Sequence, residues 1–147
     1  MKNTKKTAAI IIISVLIAFI WGHSAMSRSV SKAESLAVGN FLGPFLELFV
    51  GKGNVTDHLV RKLAHFTEYA ALGGALAYLL HVDGKRSFFQ ISYAALCAMA
   101  VAVVDEGIQL FADGRGAQVQ DVLLDTGGAI FGLAFFLAVF AITVRIK

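Results

Sequence analysis

The chain has 147 residues, of which 57% are hydrophobic, with a formal net charge of +3, one proline and one cysteine. Its mean hydropathy of +0.72 excludes an ordinary soluble domain, in which roughly 45–50% of residues are apolar. Cys97 has no second cysteine to pair with, and the basic residues form no stripe, so neither a disulfide framework nor a nucleic-acid partner is expected.

Taken in chain order, the first element is Ala8–Trp21, an apolar core after Lys2, Lys5 and Lys6. With its flanks it makes a span of about 7–23. A basic start, a short apolar core and Ala25-Met26-Ser27 also resemble a secretory signal with a cleavage site. The Trp21-Gly-His end argues for a retained anchor instead.

The next segment, 24–60, reads as an external helical layer. Ser31-Lys-Ala-Glu34 has capping-box spacing. Val38, Phe41, Leu42, Phe45 and Phe49 then recur at three and four residues, marking one helix face, and Pro44 should bend or break it. Such a helix either packs over the bundle or lies in the membrane interface.

Three further spans follow, at about 62–80, 88–105 and 125–144. The expected fold is therefore all-α: an integral membrane protein with a single domain, built as a four-transmembrane-helix bundle with an extra interfacial helical segment after the first span. The N-terminus, the 81–87 loop and the C-terminus hold seven basic residues (Lys2, Lys5, Lys6, Lys85, Arg86, Arg145, Lys147) against one acid, Asp83. The positive-inside rule then places both termini in the cytoplasm. Segments 23–61 and 105–121 face outward together.

Two polar blocks interrupt the apolar sequence. The first is Arg61-Lys62-Leu-Ala-His65-Phe-Thr-Glu68-Tyr69. Arg61, His65, Glu68 and Leu72 fall on one helix face at steps of four, three and four. The second runs from Asp105-Glu106-Gly-Ile-Gln109 through Arg115 to Asp121, with four carboxylates in seventeen residues. Charge held at a membrane boundary usually faces the protein interior or a water-filled cavity. Gln118, Asp121 and Asp125 line one face of the last helix, with Asp125 about one turn deep. Arg115 is placed either to pair with Asp105 or Glu106 across the hairpin or to reach a ligand. Asp121 has the residue type of an N-cap. Gly128-Ala-Ile-Phe-Gly132 is a small-xxx-small surface for helix packing, and it also allows a homo-oligomer.

Arg61-Lys62-Leu-Ala-His65-Phe-Thr-Glu68-Tyr69-Ala-Ala-Leu-Gly73, then Asp105-Glu106-Gly-Ile-Gln109, then Gly114-Arg115 through Asp121 to Asp125-Thr-Gly127, in that order, closely resemble the VanZ-like family of small bacterial membrane proteins. The Ser24, Ser27, Ser29, Ser31 stretch is a looser match. The resemblance implies a place in the cell envelope, at the outer face of the cytoplasmic membrane. It also implies lowered susceptibility to teicoplanin-type lipoglycopeptide antibiotics.

Three mechanisms are open on the residues. In the first, an outward polar cleft binds an anionic membrane lipid or lipid-linked cell-wall precursor. The second helix N-terminus favours an anion there, and the ligand-binding residues are Arg61, Lys62, Tyr69, Gln109, Arg115 and Asp121. In the second, the protein is an enzyme on a lipid-linked phosphate or ester, with His65, Asp105 and Glu106 as the acid–base set. His65, Glu68, Asp105 and Glu106 are ligand types for a divalent cation. No H-E-x-x-H or comparable spacing is present, however, so no metal site or cofactor is assigned. In the third, the protein is a small transporter or a structural partner in an envelope complex.

Overall fold

A computed structural model describes residues 2–85 and 87–145. Within them the chain is five helices: α1 (Lys2–Ser24), α2 (Arg28–Val50), α3 (Asp57–Asp83), α4 (Phe88–Gln109) and α5 (Val119–Arg145). Arg86 and Lys147 of the charge count lie outside the described residues.

Local chemistry explains the boundaries. Thr56 caps α3, its hydroxyl accepting from the Leu59 N–H at 3.2 Å, and Asp57 places an acid in the first turn. Ser87 and Gln90 form a reciprocal capping box at the start of α4. Between α4 and α5 the chain turns at Asp113-Gly114, where Gly114 takes a φ of 74°.

α3 is the central element and packs against all four other helices. It runs parallel to α5: Phe66 faces Gly128, Ala70 faces Gly132 and Gly73 faces Ala129. A Cβ on Gly73 would stand 1.9 Å from the Ala129 carbonyl oxygen, and one on Gly132 would stand 1.9 Å from that of Ala70. The two backbones therefore touch, which only glycine permits. The Gly128/Gly132 surface, expected to pack helices or to join two copies, is thus covered by α3 of the same chain.

α1 runs antiparallel to α3. Lys6 binds Asp83 at one end of the bundle and His23 binds Glu68 toward the other. α4 lies alongside α1, the Trp21 indole donating to the Val101 carbonyl at 3.3 Å. The core is thin and made largely of small residues: Ala77, Ala94, Ala98, Ala102 and Ala129 with Ile20, Tyr69, Leu72 and Leu133. Large apolar residues point out instead, among them Phe41, Phe49, Phe88, Leu96 and Phe131, while Asp105 and Asp125 are fully buried. Apolar outside and charge inside is the pattern of a bundle solvated by lipid.

Three expectations for the 24–60 segment change. α2 begins at Arg28 after Ser27, so Ser31 and Glu34 form no capping box; Ser31 is buried and Glu34 reaches His23. Pro44 lies inside a continuous helix without breaking it. The helices long and apolar enough to cross a membrane, by length and composition, are α1, α2, α4 and α5. α3, read as the second span, is not among them. Its polar residues lower its hydropathy, and Lys62, His65, Glu68 and Tyr69 among them meet neighbouring helices.

Candidate functional site

The two polar blocks meet at the end of the bundle where α1 and α4 finish and α3 and α5 begin. Asp105, from the last turn of α4, is at its centre with no exposed surface. Its Oδ2 accepts from the Ser24 hydroxyl at 2.8 Å and from the Gln109 side-chain amide at 3.2 Å. Its Oδ1 has no hydrogen-bond partner. His65 Nδ1 stands 3.9 Å from Asp105 Oδ2 and 3.6 Å from Asp125 Oδ2. Asp125, one turn into α5, is also fully buried, and neither of its oxygens has a hydrogen-bond partner. Unpaired buried carboxylates are expensive, each costing several kcal/mol. Here they sit side by side, with the buried and equally unpartnered Tyr69 hydroxyl among them.

A second polar chain joins three helices beside the first. His23 on α1 holds Glu68 of α3 at 3.0 Å through Nδ1 and Glu34 of α2 at 3.1 Å through Nε2. Its ring stacks on that of His65, with centroids 6.1 Å apart and planes 18° from parallel. One oxygen of Glu68 is thereby engaged, while its Oε2 stays buried without a hydrogen-bond partner. Glu106, expected beside Asp105 as an acid or base, instead accepts the Gln118 backbone N–H at 2.7 Å and fastens the hairpin to the start of α5.

The basic residues divide. Lys62 pairs with Asp121 at 3.1 Å, so Asp121 acts as the partner of a lysine on α3 and does not cap α5. Arg61 lies against His58 at 3.1 Å on the exposed side. Arg115 forms no ion pair with Asp105 or Glu106. One of its nitrogens donates to the Ser24 carbonyl at the end of α1, at 3.3 Å, and another is buried without a partner. Burial first, and then the nearby Arg61 charge, lowers the pKa of this guanidinium below its ordinary value. Lys and Arg at a helix C-terminus complement its dipole, and Arg115 does this for α1.

Arg61, Lys62, His65, Gln109, Asp121 and Asp125 surround one small pocket of about 20 Å³. That is room for about one water or ion, far too little for a lipid headgroup. A much larger groove, of about 620 Å³, lies on the other side of α3, between α1, α2 and α3. Leu16, Phe19, Leu42, Leu46 and Leu63 line it, and Glu68 is its one charged residue.

The structure thus brings together His65, Asp105, Gln109, Lys62 and Asp121, with Tyr69 beneath them. It places Arg61 at the rim and sends Glu106 and Arg115 to the scaffold. Sequence reasoning missed Ser24, His23 and Glu34, and left Asp125 out of the site. Ser24 and Asp125 belonged to stretches already singled out. His23 carried no signal, because it ends a segment read as an anchor.

The family described as VanZ/LLP1 matches residues 9–141. The match reaches into all five helices, from within α1 to within α5, and the chain belongs to that family. No curated protein and no solved structure matches it.

Proposed function

We propose from this membership that the protein is an envelope membrane protein that lowers susceptibility to teicoplanin-type lipoglycopeptides by binding an anionic lipid or lipid-linked cell-wall precursor. The observation that carries this reading is the apolar groove between α1, α2 and α3. It has the volume and lining to take an acyl chain. It runs along the helix whose first turns bear Arg61, on the exposed side, which supplies charge to hold an anionic head at the groove's end. The charge bias of the termini and short loop orients this end outward.

Native mass spectrometry of the wild type beside Leu63→Trp and Arg61→Ala tests this. A retained anionic lipid, lost when the groove is filled and weakened when Arg61 is removed, is the expected result. It should parallel loss of teicoplanin tolerance in a susceptible host expressing the variants. Lipid held equally by all three proteins would sink the reading.

One observation favours a second reading, an enzyme acting on a lipid-linked phosphate or ester. His65 is flanked by two buried carboxylates, Asp105 and Asp125, an arrangement suited to proton transfer. Turnover of such a substrate, abolished by Asp105→Asn, would select it over binding alone.

A further inference from the structure

We propose that His65, Asp105 and Asp125 form a binding site for one divalent metal ion at the end of the bundle. One ligand atom from each residue lies within 4.8 Å of the others, and all three residues are buried. The set is one imidazole nitrogen and two carboxylate oxygens, from three different helices.

The spacing is the first argument. Separations of 3.6 and 3.9 Å from His65 Nδ1 to the two carboxylates are too long for hydrogen bonds. They are close to the edge of a tetrahedral site: bonds of about 2.0–2.1 Å put neighbouring ligand atoms about 3.3 Å apart. A contraction of a few tenths of an ångström on each of these two edges would bring His65 to metal-ligand spacing from both carboxylates.

The unpartnered atoms are an independent argument. Asp125 has no exposed surface and two oxygens without a hydrogen-bond partner, and Asp105 Oδ1 is in the same state. Buried carboxylates are paired or bind metal. Apart from His65 itself, the neighbouring cations are engaged elsewhere: Lys62 by Asp121, His23 by Glu68 and Glu34, and Arg115 by the Ser24 carbonyl. Two carboxylates and a neutral imidazole carry a charge of −2, which one divalent ion cancels.

The surroundings match a metal's outer shell. Ser24 and Gln109 both donate to Asp105 Oδ2 and leave Oδ1 without a partner, orienting the carboxylate as outer-shell donors do. The adjoining pocket of about 20 Å³ has room for about one water to complete the coordination. Nitrogen with two hard oxygens suits zinc or manganese. The inference does not rest on the lipid reading, since the ion lies on the opposite side of α3 from the groove.

The test is metal content and reloading of the full-length, tag-free protein in mild detergent. After chelation and dialysis, Zn²⁺ and Mn²⁺ are titrated separately into the wild type, Asp125→Asn, His65→Gln and, as a control away from the cluster, Asp113→Asn. The expected result is about one ion per chain in the wild type and in Asp113→Asn, with binding weakened at least about tenfold in the other two. Two cluster variants are used so that one failing to fold leaves the other to report. Neither ion binding the wild type would overturn the site, the carboxylates then being neutralised by protons. So would binding of equal strength in every folded variant.

Discussion

The two ends of the bundle handle charge in opposite ways. At one end Lys6 and Lys85 meet Asp83 over partly exposed side chains, and the ion pairs lie at the surface. At the other, Asp105, Asp125 and His65 are buried, and several of their polar atoms have no partner. The first end could lose its charges and remain a helix bundle. The second holds charge where stability alone would not put it, and that contrast makes it the candidate functional end. Structural ion pairs are satisfied where they stand, whereas functional sites keep capacity open for a ligand.

The seam that joins both ends offers the most severe way to break the comparison. Gly132→Ala drives a methyl into the Ala70 carbonyl and should destabilise the fold by about 3 kcal/mol, as strong overpacking does. The loss should appear in thermal unfolding in detergent, with both ends failing together.

Asp125→Leu separates the two ends sharply. Its oxygens have no hydrogen-bond partner and His65 stands 3.6 Å away, so replacing it by an apolar residue should change the stability of the metal-free protein by no more than about 1–3 kcal/mol. If the buried cluster serves the proposed function, teicoplanin tolerance should be lost with it. Loss of stability together with function would mean that Asp125 is structural. Ser24→Ala has an intermediate effect. Removing the 2.8 Å donor to Asp105 should cost about 1.5–3 kcal/mol if the carboxylate is charged, read as a lowered unfolding midpoint.

The smallest effect belongs to the opposite end. Lys6→Gln should move the unfolding midpoint by an amount close to measurement error, since exposed pairs contribute little. Its signature is in pH. The Lys6 hydrogen bond, with Lys85 adding to it, holds Asp83 below the usual carboxylate range. Its contribution is therefore fully present above the ordinary carboxylate pKa. It is lost as pH falls through the lowered folded value. Lys6→Gln should flatten that acid limb in unfolding measured against pH. An unchanged limb would show that other groups set it.

Much of this contrast is legible in the residues. Arg61-Lys62…His65…Glu68-Tyr69 and Asp105-Glu106…Gln109 stand out because charge is rare in apolar sequence. Helical spacing brings both blocks to one end of the bundle. The small-residue surface of α5 is equally visible, although its partner proves to be α3. What stayed hidden is pairing. Glu106 and Glu68 look as chemical as Asp105 and Asp125, yet the backbone of Gln118 engages one oxygen of the first and His23 one oxygen of the second. α1 reads as a plain anchor because its apolar core carries no motif; only its last turn, with His23 and Ser24, enters the site.

Sequence by itself determined the helical, lipid-solvated character of the chain, since hydropathy and period are properties of neighbouring residues. It also determined which end gathers the charge. The tertiary structure alone decided which carboxylates remain open. Hydrogen-bond satisfaction depends on contacts between helices far apart in the chain: His23 of α1 engages Glu68, the Gln118 backbone engages Glu106, and His65, Asp105 and Asp125 are left facing one another.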